Sequence, residues 1–320
     1  MTKPVYPNYY VTGKSSAVSR RLISESHIKY TFKTTDGHGT MDAYSVYPGI
    51  ELIYNDFKAG NCDCQLHISG NILEINYCHH GREECEWVNK NYLFIGKGDL
   101  CISRMDEDAP ALYFPTKSYQ GITIVIDFDR ISGYPLEMFS GISSNLFDFP
   151  DKFCPGRQFF IMRAKSRIEH IFSELYEIPK EILMPYLKLK VLEVLLFLSM
   201  VDVPGERKTE LLTKPQIETV KAVHKTLTEN YGESHTIEQL SKTHCINPTS
   251  LKKVFKEVYG TTMMRYLKEV RMKRAAEMLA KTSLSVADIA AGSGYISQSK
   301  FAKAFKEYYG LQPMEYRKKS

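Results

Sequence analysis

Two periodicities divide the chain. From Ile28 to Ile126, large apolar side chains recur at every second position: Ile28, Tyr30 and Phe32, then Leu66 and Ile68, Leu73, Ile75 and Tyr77, Tyr92 and Phe94, and Ile122, Ile124 and Ile126. Alternation of this kind belongs to strands with one buried face, and the Gly, Asn and Asp residues between the runs mark turns, so a sandwich or barrel of short antiparallel strands is predicted. After Arg157 the period becomes helical. Phe160, Ala164, Ile168, Ile171, Phe172 and Leu175 form one stripe, and Leu187, Val191, Val194, Leu195 and Leu198 form another after Pro179 and Pro185. These helices either cover the sheet or pair with a second copy. The polar stretch Val203-Pro-Gly-Glu-Arg-Lys208 then reads as a linker. The expected boundaries are a barrel over 1–156, a helical connector over 157–202, a linker over 203–215 and a last domain over 216–320.

That last domain repeats itself after fifty residues. Leu251–Gly260 and Phe301–Gly310 agree at Lys253/Lys303, Phe255/Phe305, Lys256/Lys306, Glu257/Glu307, Tyr259/Tyr309 and Gly260/Gly310, and Met264/Met314 and Tyr266/Tyr316 continue the match. Such agreement marks a duplicated structural unit. Each copy reads as two helices and a tight turn. In the first, Thr236-Ile-Glu-Gln239 is a capping box, the chain turns at His244-Cys245-Ile246, Asn247-Pro248 opens a second helix, and Leu251, Val254, Phe255 and Val258 form its stripe until Gly260. In the second, Ser285-Val-Ala-Asp288 caps a helix, Gly292-Ser-Gly294-Tyr295 turns, Ser297 caps again, and Phe301, Ala304, Phe305 and Tyr308 form the stripe until Gly310. Between the copies, Thr262 to Lys281 reads as one helix of about 28 Å, close to the ~34 Å at which successive major grooves face one side of a duplex. Two helix-turn-helix units on such a spacer suit two consecutive grooves.

Charge supports this assignment. Residues 216–320 hold 18 Lys and Arg against 10 Asp and Glu, whereas the whole chain carries a net charge of only +5. The excess marks an anionic partner for the C-terminal domain, and with the repeat it points to double-stranded DNA. On a helix capped at Asn247, Thr249, Lys252, Lys253 and Lys256 face away from the apolar stripe. In the second copy the corresponding candidates are Gln298, Ser299, Lys300, Lys303 and Lys306. Residues near the helix start, Thr249, Lys253, Gln298, Ser299 and Lys303, are placed to read bases, and Lys256 and Lys306 to clamp phosphates.

The pattern I-A-x-x-x-G-Y-x-S-x-S-x-F-x-x-x-F-K-x-x-x-G-x-x-P-x-x-Y-R, met at Ile289 to Arg317, resembles the DNA-binding domain of AraC/XylS-type bacterial transcription regulators. The resemblance implies a two-domain α+β protein, with an N-terminal cupin-like antiparallel β-barrel that holds a small-molecule effector and a C-terminal all-α double helix-turn-helix. It supports base contacts at 249, 253, 299 and 303. It also implies RNA polymerase as a partner and a homodimer seam in the connector helices, while a cytoplasmic location is expected from the scattered cysteines and the lack of an apolar run of signal-peptide length in Met1–Gly13. Tyr92-Leu-Phe-Ile-Gly-Lys-Gly-Asp-Leu-Cys-Ile102 is similar to a cupin strand pair joined by a Gly-Asp turn.

Composition is that of a globular protein, with 43% hydrophobic and 25% charged residues, which excludes disorder. The most apolar run, Leu183 to Val201, carries Lys188, Lys190 and Glu193, so no membrane span or membrane partner is expected. Seven cysteines, an odd number scattered along the chain, fit reduced thiols better than a disulfide framework. The N-terminal domain lacks the His-x-His of metallo-cupins and shows no nucleophile beside a base, so an enzyme, a resident metal and a cofactor are not expected. Tyr30, Glu74, Tyr77, Arg82 and Trp87 are the candidate effector liners. The alternative reading is a metal or redox sensor built on Cys62 and Cys64 with His67, Cys78 or Cys85.

Overall fold

The long strand Ile72–Trp87 organises the N-terminal unit. Its first half pairs with one set of neighbours and its second half with another, because the ladder is interrupted where Gln120 faces His80 and Gly121 faces Cys78. Gly81 makes the irregularity possible. It has φ 85°, and a Cβ there would lie 1.9 Å from the carbonyl oxygen of Ser118, so both backbone conformation and close approach demand glycine.

The computed structural model describes residues 9–13, 17–62, 64–68, 70–87, 91–105, 112–131, 137, 145–157, 159–164, 166–203 and 211–320. Contacts divide the chain into two compact units, 1–211 and 212–320. The strands of the first unit are β1 (Tyr9–Gly13), β2 (Ala17–Ser24), β3 (His27–Thr34), β4 (Gly37–Tyr47), β5 (Ile50–Lys58), β6 (Asn61–Cys62), β7 (Cys64–Ile68), β8 (Ile72–Trp87), β9 (Asn91–Gly96), β10 (Leu100–Met105), β11 (Leu112–Tyr113), β12 (Tyr119–Asp127) and β13 (Phe160–Met162). The main antiparallel path runs β13-β10-β8-β12-β5-β4-β3-β2, while β9 and β11 pair with the far end of β8. The result is a half-barrel.

Alternation along the strands sends side chains to two different cores. Leu52, Leu73, Ile75, Tyr77, Leu100, Ile102, Ile122, Ile124 and Ile126 face outward onto helices α1 (Phe149–Phe153), α2 (Ser166–Ser173) and α3 (Leu183–Ser199). Tyr30, Phe32, Ile53, Phe57, Cys78, Leu93, Ile95, Phe114, Tyr119 and Val125 fill the interior. Among the described residues no helix is long and apolar enough to cross a membrane.

One expectation is corrected here. The helical stripe was placed from Phe160, yet Phe160–Met162 is a strand, with Phe160 opposite Ile102 and Met162 opposite Leu100, and the helix begins only at Ser166. Phe160 and Met162 face the helical core and Ile161 the interior, so both faces of this short run are apolar, and periodicity cannot separate such a strand from a helix. Within the apolar helix α3, Lys190 is a buried cation. It is 8% exposed and pairs with Glu174 at 2.5 Å and Glu193 at 2.7 Å. Of the expected linker, residues 204–210 lie outside the described part of the molecule.

The second unit is helical: α4 (Lys214–Glu229), α5 (Ile237–Thr243), α6 (Pro248–Tyr259), α7 (Met263–Lys281), α8 (Val286–Gly292), α9 (Gln298–Tyr309) and α10 (Pro313–Lys319). The spacer α7 buries Met272, Ala275, Ala276 and Leu279 against Val286, Ile289, Ala290, Phe301 and Phe305.

Candidate nucleic-acid interface

Both outward-facing helices start and stop by local chemistry. The Asn247 side chain accepts from the backbone N–H of Thr249 at 2.9 Å, Pro248 occupies the first turn, and Gly260 ends α6 at φ 73°. Ser297 accepts from the N–H of Lys300 at 3.4 Å, and Gly310 ends α9 at φ 73°. Asparagine and serine satisfy free N–H groups at a helix start, and glycine takes the left-handed residue at its end.

The faces then follow from about 100° of turn per residue. Leu251, Val254, Phe255 and Val258 are buried in one arc of α6, while Thr249, Lys252, Lys253 and Lys256 are exposed on the opposite side. On α9 the buried residues are Phe301, Ala304 and Phe305. Ser299, Ala302, Lys303 and Lys306 share the outward face, where with Glu307 and Gln312 they line a shallow groove of about 630 Å³. Lys300 is exposed but lies about 100° round the helix from Ser299, and the counterpart of Lys252 is Ala302. The second face therefore carries fewer cations than the first. Tyr308, placed in the apolar stripe by the repeat, is 39% exposed, unlike its buried counterpart Val258.

A duplicated aromatic wedge supports each helix. Phe255 and Tyr259 lie 4.7 Å apart between ring centroids with Tyr266 at 5.8 and 5.7 Å. Phe305 and Tyr309 lie 4.7 Å apart with Tyr316 at 5.4 and 5.1 Å. His224 is extra to the first copy. It stacks on Tyr259 and bonds the Tyr266 hydroxyl at 2.6 Å.

Two arginines join the halves. Arg271 of α7 donates to the carbonyls of Tyr231 at 2.7 Å and Glu233 at 2.8 Å, and its guanidinium lies 5.9 Å from the Tyr295 ring. Its burial pulls its pKa below the usual arginine value. Arg317 donates to Leu279 and Leu284 at the end of the spacer. The residues forming these staples were visible in the sequence, but only their carbonyl partners, distant in the chain, assign their roles.

The family described as "Helix-turn-helix domain" matches residues 240–319. The Msm operon regulatory protein of Streptococcus mutans is 32% identical over 99 residues, 31% of this chain and 36% of that protein. The RCS-specific HTH-type transcriptional activator RclR of Escherichia coli is 36% identical over 98 residues, 31% of this chain and 34% of that protein. Residues 240–319 form an AraC-type helix-turn-helix domain. Among solved structures, the C-terminal domain of AraT, a response regulator from Geobacillus stearothermophilus, is 28% identical to the chain, with a TM-score of 0.31, covering 32% of this chain and 85% of that one. The chain spans about a third of the length of the curated relatives it matches. Thr249, Lys252, Lys253, Lys256, Gln298, Ser299, Lys300, Lys303 and Lys306 are all exposed in the AraC-type domain.

The five candidate effector liners do not form one wall. Tyr30 and Glu74 belong to the interior face of the half-barrel. Tyr77 is three residues from Glu74 on the same strand and therefore points the other way, where its ring stacks on Phe172 at 4.3 Å. Arg82 alternates with the interior residue Glu83 and lies across Gly96. The side chain of Trp87 lies outside the described part of the molecule.

The polar residues that do share the interior escaped sequence reading. Asn76 donates to Glu83 at 2.8 Å and accepts from Tyr119 at 2.7 Å, and Asn55 donates to Thr123 at 2.9 Å. Asn55 Oδ1 is buried without a partner among the described groups. Burial pushes the Glu74 carboxyl above the usual carboxylate range, opposed by the Ser103 hydroxyl that donates to it. Asn76 alternates with Ile75 and Tyr77, and Thr123 with Ile122 and Ile124, and alternation alone does not say which face another segment covers.

Among the described residues no group of three or more His, Cys, Asp or Glu is arranged to hold a metal ion, and no disulfide is formed. Burial raises the Cys78 thiol, against the thiolate character that redox sensing uses. The side chains of Cys64 and His67 lie outside the described part of the molecule.

Proposed function

We propose that the protein is a sequence-specific DNA-binding transcription regulator in which one chain reads two consecutive major grooves. One observation carries this reading: two capped helices, fifty residues apart in the chain, present Thr249, Lys253 and Lys256 and their counterparts Ser299, Lys303 and Lys306 in the same register, on matching aromatic supports. Thr249, Lys253, Ser299 and Lys303 read base edges, with Gln298 and Lys252 at the margins, and Lys256, Lys300 and Lys306 hold phosphates. The product acts on transcription through RNA polymerase.

The half-barrel is the effector-sensing part. The Asn55, Thr123, Asn76 and Glu83 row, with Glu74 and Tyr30 on the same face, supports a polar small-molecule ligand. Such a ligand controls DNA binding only by binding two arrangements of the protein unequally. Leu189 of α3 and Met200, which follows its last residue, are 66% and 73% exposed and supply an apolar seam for a second copy.

Selection of duplexes from a random pool by the full-length protein, at two salt concentrations, tests the central reading. Recovery of two half-sites about 10 to 10.5 base pairs apart supports it. Binding without sequence enrichment that collapses as salt rises reduces the interface to phosphate contact and refutes it.

A further inference from the structure

The two helix-turn-helix units differ by one residue in the turn. In the first, α5 ends at Thr243 and α6 begins at Pro248; in the second, α8 ends at Gly292 and α9 begins at Gln298. The turns match bond for bond at their start. Cys245 donates to Lys242 and Ile246 to Ser241, and forty-nine residues later Gly294 donates to Ala291 and Tyr295 to Ala290. At the N-caps Asn247 and Ser297 the offset has become fifty. The insertion lies between Tyr295 and Ser297, and it is Ile296.

Ile296 is 95% exposed, more than any other large hydrophobic residue among those described. Its neighbour Tyr295 takes the packing position, 5.6 Å from the Phe301 ring, so Ile296 adds nothing to the core of its unit. It stands immediately before the N-cap Ser297 of α9, two and three residues ahead of the exposed Gln298 and Ser299 at the helix start. The N-terminal end of such a helix meets base edges. In the major groove those edges offer one apolar target, the C5-methyl of thymine.

We propose that Ile296 is a base-reading residue that packs on a thymine methyl group in the half-site of the second unit, a contact the first unit lacks. The proposal rests on α9 being a recognition helix. It makes the two half-sites chemically unequal: the first unit reads with Thr249 and Lys253, and the second adds an apolar contact to Ser299 and Lys303.

The test uses full-length protein and a duplex recovered by the selection above. Each thymine is replaced in turn by deoxyuridine, which removes only the methyl group, and Kd is measured for wild type and Ile296→Ala. One replacement in one half-site should weaken wild type about fourfold, the equivalent of one buried methyl group. The same replacement should leave Ile296→Ala unchanged, and that variant should unfold at the wild-type temperature because the side chain is exposed. Deoxyuridine profiles that coincide for the two proteins, or unaltered affinity of Ile296→Ala for the thymine duplex, would overturn the assignment while leaving the domain a DNA reader. Failure to recover any duplex would overturn the reading of the whole domain, and Ile296 with it.

Discussion

Cys245 and Gly294 occupy equivalent points in the two turns, and replacing each should shift stability in opposite directions. Cys245 is one of two described non-glycine residues with positive φ, at 50°, and Gly294 has φ 74°. A left-handed conformation costs an L-residue about 1–2 kcal/mol, whereas a new glycine gives back about 0.5–1 kcal/mol through the freer unfolded chain. The Cys245 side chain is exposed, so Cys245→Gly loses little packing and should gain about 0.5–1 kcal/mol. For Gly294→Ala the stiffer unfolded chain offsets only part of the strain, and a steric clash is added to it. The new Cβ would lie 2.6 Å from both the Gly232 carbonyl oxygen and Arg271 Nη2, so it displaces the arginine that bonds Tyr231 and Glu233. Backbone strain and weakened hydrogen bonds together should cost about 2–4 kcal/mol. Thermal unfolding followed by circular dichroism at 222 nm reports the helical unit, and the fluorescence of the single tryptophan, Trp87, reports the N-terminal unit. For a unit of this size the changes correspond to a rise of about 3 °C and a fall of about 10 °C. A destabilised Cys245→Gly, or a Gly294→Ala that moves the transition by less than about 2 °C, would refute the claim that this backbone geometry governs the turns.

Other substitutions separate the remaining roles. Lys253→Ala and Lys303→Ala should each cost about 1–3 kcal/mol on the selected duplex and relax preference at one base position, read by repeating the selection. Lys256→Ala and Lys306→Ala should weaken all sequences alike and lower the slope of log K against log salt by about one each. Tyr77→Ala should destabilise the N-terminal unit by about 3–5 kcal/mol in urea, because the ring is 1% exposed and packs on Phe172. Glu74 has a pKa raised above its ordinary 4.5 by burial, so the folded state holds its proton longer than the unfolded state does. Stability contributed by that difference is present below the ordinary value and is lost as pH rises through the raised one. Glu74→Gln should flatten this fall, measured as unfolding temperature against pH by tryptophan fluorescence.

How much was legible depended on the range of the interactions concerned. Thr236, Asn247, Thr262, Ser285 and Ser297 cap helices through hydrogen bonds reaching only two or three residues along the chain, and Gly260 and Gly310 end helices through their own φ. The repeat then showed that the same short unit was built twice. Partners distant in sequence left no such mark. The roles of Arg271 and Arg317 come only from their distant carbonyl partners, and those of Asn55, Asn76 and Thr123 from the strand pairing that brings them onto one buried face.

The chain by itself determined the two helix-turn-helix units, their outward faces and the sheet-forming character of the first unit, because caps, turns and periodicity act between near neighbours. Only tertiary structure decided that Phe160–Met162 is a strand, that Tyr77 and Arg82 turn away from the interior shared by Glu74 and Glu83, and that Lys190 is buried between two glutamates. Each depends on strand register, a bulge or side-chain packing between segments far apart in the chain, and alternation within a single segment does not reveal which of its faces another segment will cover.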